Sequence, residues 1–581
     1  MANLIVEQKE VKRLFQETKY GFLIPDYQRP YAWGEKECKA LWDDIFNFAF
    51  PNEDNSQFDE DEDQYFLGPI VTFKNGKQME VIDGQQRLTT LMLLLRAFYN
   101  KLGYMQDARS KKMKDDIEKC IWKANAYGEF DTDALKISSE VATDDDKDEF
   151  ISILKDGETK GRKSRYAENF KYFVDQIDKF LNKYPGYFTD FPARMLNNCV
   201  LLPIEAESQN TALRIFSTLN DRGKPLSDAD IFKAQLYKFY SYQGKKDDFI
   251  NIWKELEKVS YDIFHPISGT PLDELFTRYM YYERAKAGTK SSTTEALRKF
   301  YEGDGSYPLL RKSETLINLV SLVKFWESII YQDSERFSEE VLKRLFILDY
   351  APNGMWTYLV SVYFMAKKDA NDNLEEFAFC KFLDRITAFI WAYAITNPGV
   401  NSLRTPVYAE MVKLVSGEDV TFADFKFDED RYRAQVSNYS FNNSRAITKS
   451  MITWWAFQQN GQQMLSLETR FDIEHIYARN RQDKEKGLSD ARSVELLGNK
   501  VLLEKRINIR AADYRFSDKK KYYEGFQTAS GQQKVGTMIA ELLDMAKNKV
   551  DFIESDILTR NANIIDAFVG FLEKNDLVKN N

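Results

Sequence analysis

The chain has few of the residues that build zinc sites and disulfide frameworks. Its 581 residues include two histidines and four cysteines, and the cysteines lie far apart, at Cys38, Cys120, Cys199 and Cys380. No spacing among them predicts a zinc site or a disulfide framework. We therefore expect a protein of the reducing cytoplasm.

Long hydrophobic runs are also missing. The longest run, Leu91–Leu95, ends at Arg96, whereas a membrane-spanning helix needs about 20 apolar residues. The opening residues, MANLIVEQKEVKRLF, contain no long apolar region of the kind that a secretion signal has. The sequence thus predicts no membrane partner.

The chain also lacks an excess of basic residues. The 81 Lys and Arg residues are outnumbered by 90 Asp and Glu residues, which gives a net charge of −9. This balance excludes a uniformly basic coat for nucleic acid, although a local basic groove is compatible with an acidic protein. The content of 43% hydrophobic residues is ample for large cores, and the length predicts three or four domains.

The most informative stretch covers residues 66–99. Ile70–Phe73 and Met79–Ile82 have the composition of strands. Asn75-Gly76 lies between them and is a strong hairpin signal, because both central positions of the turn need positive φ. The stretch therefore predicts two antiparallel strands.

The turn after the second of these strands is a candidate anion site. The chain breaks at Asp83-Gly84, and apolar residues recur at helical spacing from Leu88 onward. Gly84 to Arg87 would lie where free backbone N–H groups and the helix dipole favour an anion, and Arg87 can bind phosphate in a fork. An equally good interpretation of these residues alone is a buried hairpin and helix with a polar corner.

Other segments are predicted to be helical. Apolar spacing predicts a short amphipathic helix at Val6–Phe15, a helix at Glu35–Phe48 and mostly helices over residues 243–459. Within the last range, Phe389–Ile395 is almost wholly apolar and should be buried.

Residues 211–233 predict two helices joined by a turn that contains glycine. Ser227 is a good N-cap before an acidic first turn. Asn220, Arg222 and Lys233 could reach the phosphate of a nucleotide or of DNA. The residues alone favour a capped helix pair with solvated charges.

The second informative stretch is Phe471–Ile476, which contains one of the two histidines. Alternation along a strand places Asp472 and Glu474 on one face and His475 on the other. Carboxylate oxygens suit a hard cation, and a neutral histidine can accept a proton near pH 7. A structural or exposed histidine is the alternative. Two asparagines follow nine positions apart, Asn499 and Asn508.

The region after the first of these asparagines is locally basic. Lys500–Lys521 contains eight basic and three acidic residues, an excess that suits a DNA backbone. A solvated helical face is the alternative. No second histidine or cysteine lies near His475, so a nitrogen–sulfur zinc site cannot be completed locally.

Two separated motifs carry a resemblance to a known family. Ile24–Trp33, IPDYQRPYAW, followed by Asp83–Thr90, DGQQRLTT, is similar to the paired signature of the DUF262 family. That family is similar in fold to the ParB and sulfiredoxin group and occurs in GmrSD-type, modification-dependent restriction enzymes. Residues 211–233 resemble a third motif of the family. The resemblance implies a nucleotide-binding site formed by Gln28, Arg29, Asp83, Gly84, Gln85, Gln86, Arg87 and Thr89.

The C-terminal pattern resembles the HNH nuclease motif of the DUF1524 family. The resemblance implies a ββα-metal fold in which His475 is the general base that activates water. Asn499 would brace the loop or orient His475. Glu474 and Asn508 would hold Mg²⁺ or Mn²⁺, and Asp472 is an additional candidate ligand.

Together these features predict an α+β protein that is mostly helical and has three domains. A ParB- and sulfiredoxin-like α/β domain that binds nucleotide would cover residues 1–240. A helical connecting domain would cover residues 241–450, and a ββα-metal HNH endonuclease domain would cover residues 451–581.

The predicted function is that of a nucleotide-regulated, metal-dependent DNA endonuclease with NTPase activity, of the restriction or phage-defence type. Its partners would be DNA, in particular modified phage DNA, and a nucleoside triphosphate, and a homo-oligomer is compatible with this prediction. Two alternatives stay open. One is a DNA- or nucleotide-binding regulatory protein with an inactive HNH site, and the other is an interaction scaffold without a nucleic-acid role.

Overall fold

A computed structural model describes residues 5–18, 21–76, 78–125, 127–141, 144–207, 211–212, 215, 227–399, 401–512 and 515–579. Among these residues the protein is α+β and mostly helical, as the sequence predicted. The chain forms two units, residues 1–254 and 255–581. The predicted boundary at residue 450 lies inside the second unit, and the division into three domains stays a prediction.

The first unit contains a mixed sheet and several helices. Its strands are β1 (Ile5–Val6), β2 (Lys9–Glu10), β3 (Phe22–Ile24), β4 (Tyr65–Asn75), β5 (Gln78–Asp83), β6 (Trp122–Ala124), β7 (Phe130–Leu135), β8 (Ile137–Ser139) and β9 (Cys199–Ala206). Its helices are α1 (Val11–Glu17), α2 (Glu35–Ala49), α3 (Gln85–Leu102), α4 (Ala108–Ile121), α5 (Lys147–Asp156), α6 (Arg165–Lys183), α7 (Asp190–Asn198) and α8 (Asp228–Tyr242). The helix α9 (Lys246–Ile263) follows in the chain.

The second unit is dominated by helices and has two short hairpins. Its strands are β10 (Phe471–His475), β11 (Lys500–Glu504), β12 (Gly525–Gln527) and β13 (Gln533–Val535). Its helices are α10 (Pro271–Lys286), α11 (Leu297–Glu302), α12 (Ser313–Ile330), α13 (Glu339–Asp349), α14 (Met355–Lys367), α15 (Glu376–Thr396), α16 (Arg404–Val415), α17 (Glu429–Asn438), α18 (Ala446–Ala456), α19 (Arg479–Glu485), α20 (Lys505–Ala511), α21 (Phe516–Glu524), α22 (Ala540–Asn548) and α23 (Glu554–Lys574).

The main sheet of the first unit is mixed. Within the described residues its strand order is β1-β9-β4-β5-β3-β8, and β2 also pairs with β9. Strands β4 and β5 are antiparallel, so the predicted hairpin is confirmed. Its turn lies one residue later than predicted, because Asn75 ends β4 and pairs with Gln78, and Gly76 after it has a φ of 61°. Strand β4 pairs parallel with β9, and β3 pairs parallel with both β5 and β8. Parallel neighbours need long crossover connections, and helices such as α3 lie in these connections.

The helix predicted for Val6–Phe15 is wrong in its first half. The structure has strands β1 and β2 there, and α1 begins at Val11. Both strands pair antiparallel with β9, which lies far along the chain. Long-range pairing therefore overrides the local helical spacing of these residues. The helix predicted from Glu35 is confirmed and ends at Ala49.

Helix α3 forms the centre of the first unit's core. Its apolar side chains from Leu88 to Leu102 are almost fully buried. Trp42 stacks on Phe98 with a centroid distance of 6.3 Å. Complete burial of one such side chain contributes about 1.5–3 kcal/mol. Because Gly84 offers no side-chain cap to the helix, packing is what stabilises α3.

The core of the second unit is helical. The predicted burial of Phe389–Ile395 is confirmed for most of its residues, among which Phe389, Ile390 and Trp391 are completely buried. The ring of Phe389 stacks on Phe422 with a centroid distance of 3.7 Å. Across the ranges that the structure describes, no helix combines the length and the apolar character needed to cross a membrane.

The turn at Gly84 generates a stability prediction. Gly84 has a φ of 89°, and a Cβ there would lie 3.1 Å from Cγ1 of Ile70. A side chain in this left-handed conformation costs about 1–2 kcal/mol. We expect Gly84→Ala to lower the free energy of unfolding of the first unit by about that amount, measured by urea denaturation. Gly186→Ala is the control, because Gly186 has no positive φ and open space around it. Equal stability of the two variants would contradict the argument.

Candidate functional site

The hairpin of β10 and β11 brings the C-terminal candidate residues together. The two strands pair antiparallel, with His475 opposite Lys500 and Glu474 opposite Val501. Helix α20 follows β11 directly and packs on both strands. The site is therefore built from two strands and one helix, and Asn499 lies just before β11.

The side chain of Asn499 fixes the chain that follows His475. The residue is completely buried. Its Oδ1 accepts a hydrogen bond from the backbone N–H of Tyr477 at 2.7 Å, and its Nδ2 donates to the carbonyl oxygens of Tyr477 and Val494 at 2.9 and 3.0 Å. This geometry is what bracing of the loop requires, while a catalytic role for Asn499 stays a prediction.

The turn that carries Asn499 is itself held by a buried guanidinium. Nη1 of Arg560 donates, over 2.8 to 3.0 Å, to the carbonyl oxygens of Leu497, Gly498 and Lys500. Its Nε and Nη2 each bind the carboxylate of Glu541 at 2.7 Å. Gly498 allows the turn to contact helix α23 closely, because a Cβ there would clash with the carbonyl oxygen of Ile557.

The imidazole of His475 is largely enclosed, with 12% of the side chain exposed. Its Nε2 is buried and has no hydrogen-bond partner in the part of the chain that the structure describes. Oε1 of Glu495 lies 3.7 Å away, beyond hydrogen-bond range. Burial, with a contribution from the positive charges of Lys500 and Arg479, lowers the pKa of His475 to about 4, and Glu495 acts in the opposite direction. His475 is therefore neutral at neutral pH.

Cationic groups surround His475. Lys500 is completely buried, and its Nζ donates to Oε2 of Glu495 at 2.7 Å and to Oδ1 of Asn443 at 2.9 Å. The guanidinium of Arg479 forms an ion pair with the same Glu495. Arg479 is half exposed, so its charge is available to an anion such as a DNA phosphate.

Glu474 and the backbone of His475 share one lysine from helix α21. Nζ of Lys519 donates to Oε1 of Glu474 at 2.6 Å and to the carbonyl oxygen of His475 at 2.7 Å. The hydroxyl of Tyr523 donates to the same Oε1 at 2.9 Å. Glu474 and Lys519 are both buried, so this ion pair fixes the end of β10 in place.

The predicted metal ligands Asp472 and Glu474 lie on β10, and Asn508 lies on α20. Oε1 of Glu474 is occupied by Lys519 and Tyr523. Asp472 interacts electrostatically with Lys449, and Asn508 is half-buried on α20. Over the described ranges, no three His, Cys, Asp or Glu side chains gather into a group that could hold a metal ion. Binding of Mg²⁺ or Mn²⁺ stays a prediction.

In the first unit, the predicted turn between strand and helix is confirmed, and Arg87 lies on the first turn of α3. Its Nη1 donates to the carbonyl oxygen of Pro69 at 3.1 Å. The guanidinium also lies against Gly68, where a Cβ would be 2.9 Å from Nη2. Burial lowers the pKa of Arg87, and the charge of Asp83 opposes that shift.

Asp83 faces this guanidinium at the end of β5. Its Oδ1 accepts a hydrogen bond from the backbone N–H of Gly84 at 2.7 Å. Burial raises the pKa of Asp83, while the Gly84 N–H group and the charges of Arg87 and Arg29 oppose the shift. The structure thus brings Arg29, Asp83, Gly84 and Arg87 into one polar cluster at the N-terminus of α3.

The remaining predicted nucleotide-binding side chains bind protein groups. Oε1 of Gln86 accepts from the backbone N–H groups of Ala32 and Trp33, at 2.7 and 3.2 Å. Gln28 donates to carbonyl oxygens of strand β5, and Thr89 is 2% exposed. These residues hold the Ile24–Trp33 motif against α3.

Gln85 differs from Gln28, Gln86 and Thr89 because one of its side-chain polar atoms is left without a partner in the described part of the chain. Its Nε2 lies 3.4 Å from the carbonyl oxygen of Arg29, whereas its Oε1 is buried without a hydrogen-bond partner among the described residues.

In the third motif, residues 211–233, Ser227 caps α8 as predicted, and Lys233 is buried. Asn220 and Arg222 lie outside the described residues.

Two family models match the chain in the regions that carry these motifs. The model of the N-terminal domain of the GmrSD restriction endonuclease matches residues 11–237, and the model of the C-terminal domain of GmrSD restriction endonucleases matches residues 426–567. The chain belongs to the GmrSD restriction endonuclease family. DNA is accordingly its expected substrate. No functionally curated protein matches the chain.

Several residues around the GmrSD C-terminal hairpin were missed by sequence reasoning. Lys519 and Tyr523 are four positions apart on α21, and this spacing on one helix face is the signal that could have paired them. Arg560 reaches the site from a distant point of the chain, and no local pattern identifies either Arg560 or Glu495.

The buried pair of Glu474 and Lys519 in this GmrSD chain generates a stability prediction. Removing one partner of a buried ion pair leaves an uncompensated charge and costs about 3–5 kcal/mol. We expect Lys519→Met to destabilise the second unit by about that amount in urea denaturation, and Lys521→Met, at an exposed position of the same helix, to have little effect. Adding Glu474→Gln to Lys519→Met should restore much of the loss. A Lys519→Met variant as stable as the control would contradict the pairing.

Proposed function

We propose that this GmrSD chain cleaves DNA at the β10–β11 hairpin, with His475 as the general base. The observation that carries the proposal is the state of His475: a neutral imidazole whose Nε2 has no hydrogen-bond partner among the described residues. A neutral imidazole keeps one unprotonated nitrogen, which can take a proton from an attacking water.

The surroundings of His475 support the same role. The positive charges of Arg479 and Lys500 favour an anionic phosphate near His475. A bound phosphate would counteract their lowering of the pKa of His475 and so make the imidazole a stronger base. Asn499 and Arg560 fix the backbone on either side of the hairpin end. A base held this firmly loses little entropy when it reaches the geometry for proton transfer.

Dependence on Mg²⁺ or Mn²⁺ belongs to this proposal as a prediction from the family resemblance. The pairing of Glu474 with Lys519 specifically favours the alternative function, a DNA-binding regulatory protein with an inactive HNH site. Plasmid cleavage assayed with Mg²⁺, with Mn²⁺ and with EDTA separates the two. DNA binding without cleavage under all three conditions would support the regulatory protein.

For the first unit we propose nucleotide binding at the polar cluster of Arg29, Asp83, Gly84 and Arg87. Its support is the N-terminus of α3, where backbone N–H groups and the helix dipole favour phosphate, together with the Arg87 guanidinium. Hydrolysis of the nucleotide would regulate cleavage. Restriction of modified phage DNA is proposed from the family resemblance, and a comparison of modified and unmodified phage DNA as substrates tests it.

The catalytic proposal predicts the effect of one substitution. His475→Ala removes the general base and should slow plasmid cleavage by about 10²–10⁴-fold, while nucleotide binding measured by calorimetry stays unchanged. Asn548→Ala, at an exposed position of α22, is the control. Cleavage by His475→Ala at the rate of the control would refute the role of His475.

The nucleotide proposal predicts a loss of affinity in Arg87→Ala. A hydrogen bond to a charged group contributes about 1.5–3 kcal/mol, so its loss should raise the dissociation constant roughly tenfold to over a hundredfold. Calorimetry with each nucleoside triphosphate measures the change. Arg109→Ala removes the same side chain from an exposed position and should bind like the unsubstituted protein. Equal nucleotide affinities of the two variants would contradict a role of Arg87 in binding.

A further inference from the structure

A cleft of about 430 Å³ lies within the second unit, apart from the residues assigned so far. Its volume is in the range of pockets that bind small molecules. One part of its lining is aromatic, and Trp326 and Trp356 pack edge to face there, with centroids 5.6 Å apart. The aromatic and charged side chains that line it are Phe264, His265, Trp326, Trp356, Tyr358, Glu274, Arg278 and Asp349.

Arg278 is the central polar residue of this cleft. It is 7% exposed, and its guanidinium lies 4.6 Å from the ring centroid of Phe264 and 4.1 Å from that of Trp326. Its Nε donates to Oε1 of Glu274 at 2.9 Å. Its Nη1 is buried and has no hydrogen-bond partner within the described ranges. A buried donor left unpaired is costly, and an acceptor on a ligand would remove that cost.

The charged side chains of the cleft indicate what kind of ligand could supply a hydrogen-bond acceptor to Nη1 of Arg278. The lining contains one guanidinium, that of Arg278, and two carboxylates, those of Glu274 and Asp349. Arg278 pairs with Glu274, and Lys449 interacts with Asp349. These charges therefore balance, and the described lining of the cleft has no excess of positive charge for a phosphate or carboxylate ligand. A planar neutral ring with both acceptors and amino donors matches the lining. Its acceptors would bind Arg278, its amino group would donate to Asp349, and its face would pack on the aromatic lining beside Trp356. Nucleobases have this combination.

The position of the cleft relates it to the hairpin with His475, which belongs to the same unit. Leu467 lines the cleft, and strand β10 begins four residues later at Phe471. Lys449 donates to the carbonyl oxygen of Phe471 and interacts electrostatically with both Asp349 and Asp472. Asp349 at the cleft and Asp472 on β10 therefore flank one lysine.

We propose that this cleft binds a nucleobase. The base of a DNA nucleotide turned out of its stack and the base of a free nucleotide share this chemistry, and the proximity to β10 favours DNA. The assignment to DNA rests on the proposed cleavage at the hairpin, whereas binding of a nucleobase does not depend on it. Enzymes that read a single base take it out of the stack into such a pocket.

The test uses the tryptophan fluorescence of the full chain, because Trp326 and Trp356 line the cleft. The four deoxynucleosides are titrated separately, and bound nucleoside is then challenged with a single-stranded oligonucleotide or with nucleoside triphosphates. We expect saturable quenching by at least one nucleoside. Asp349→Asn and Arg278→Lys should each weaken it about tenfold or more. Asp430→Asn, an exposed carboxylate outside the cleft, should bind normally.

Each outcome decides the inference. Displacement by the oligonucleotide assigns the cleft to a DNA base, and displacement by nucleoside triphosphate alone assigns it to a free nucleotide. Absence of quenching by all four nucleosides, or unchanged binding in Asp349→Asn, overturns the proposal. Asp349 is exposed, so its variant stays informative if Arg278→Lys fails to fold. Nucleoside binding without DNA cleavage would refute the nuclease proposal alone, and cleavage without nucleoside binding would refute the cleft alone.

Discussion

The candidate active site depends on one buried guanidinium, that of Arg560. It binds two backbone carbonyl groups of the turn before β11 and the carbonyl group of Lys500, the first residue of β11, and is neutralised by Glu541. The turn positions Asn499, and Asn499 in turn binds both backbone groups of Tyr477. The position of His475 at the end of β10 follows from this series of hydrogen bonds. A hairpin of five-residue strands has too little apolar surface to fix such a geometry by itself.

The same unit uses buried ion pairs repeatedly around the hairpin. Lys500 is paired with Glu495, and Lys519 with Glu474, beside the pair of Arg560 and Glu541. Such pairs add little net stability compared with apolar residues of similar size, but breaking one is costly. Their value here is geometric, because each cation also binds a backbone carbonyl group of the hairpin or of a neighbouring loop. Alternative packings of the site would leave these charges unpaired.

How much of the molecule the sequence could predict depended on distance along the chain. The β4–β5 hairpin and α3 were predictable because Asn75-Gly76 and the apolar spacing after Leu88 are local signals. Strands β1 and β2 were not, since their partner β9 lies far away in the sequence. The motifs pointed to His475 and Asn499 by residue type and order along the chain. They could not show that Lys519 would occupy Glu474, because a motif gives residue types and not the ion pairs they form in the fold.

The close approach of Gly498 to helix α23 has a consequence for any attempt to use the hairpin as a separate module. The backbones of the turn and the helix touch without an intervening side chain, and Arg560, which holds the turn, lies on that helix. The helix extends to Lys574 and buries Phe568 and Leu572 beyond residue 567, where the family match ends. A transplanted or truncated fragment would therefore have to keep the whole helix, even though the motif residues end at Asn508. The smallest portable module that contains the hairpin is defined by backbone contact and not by the motif.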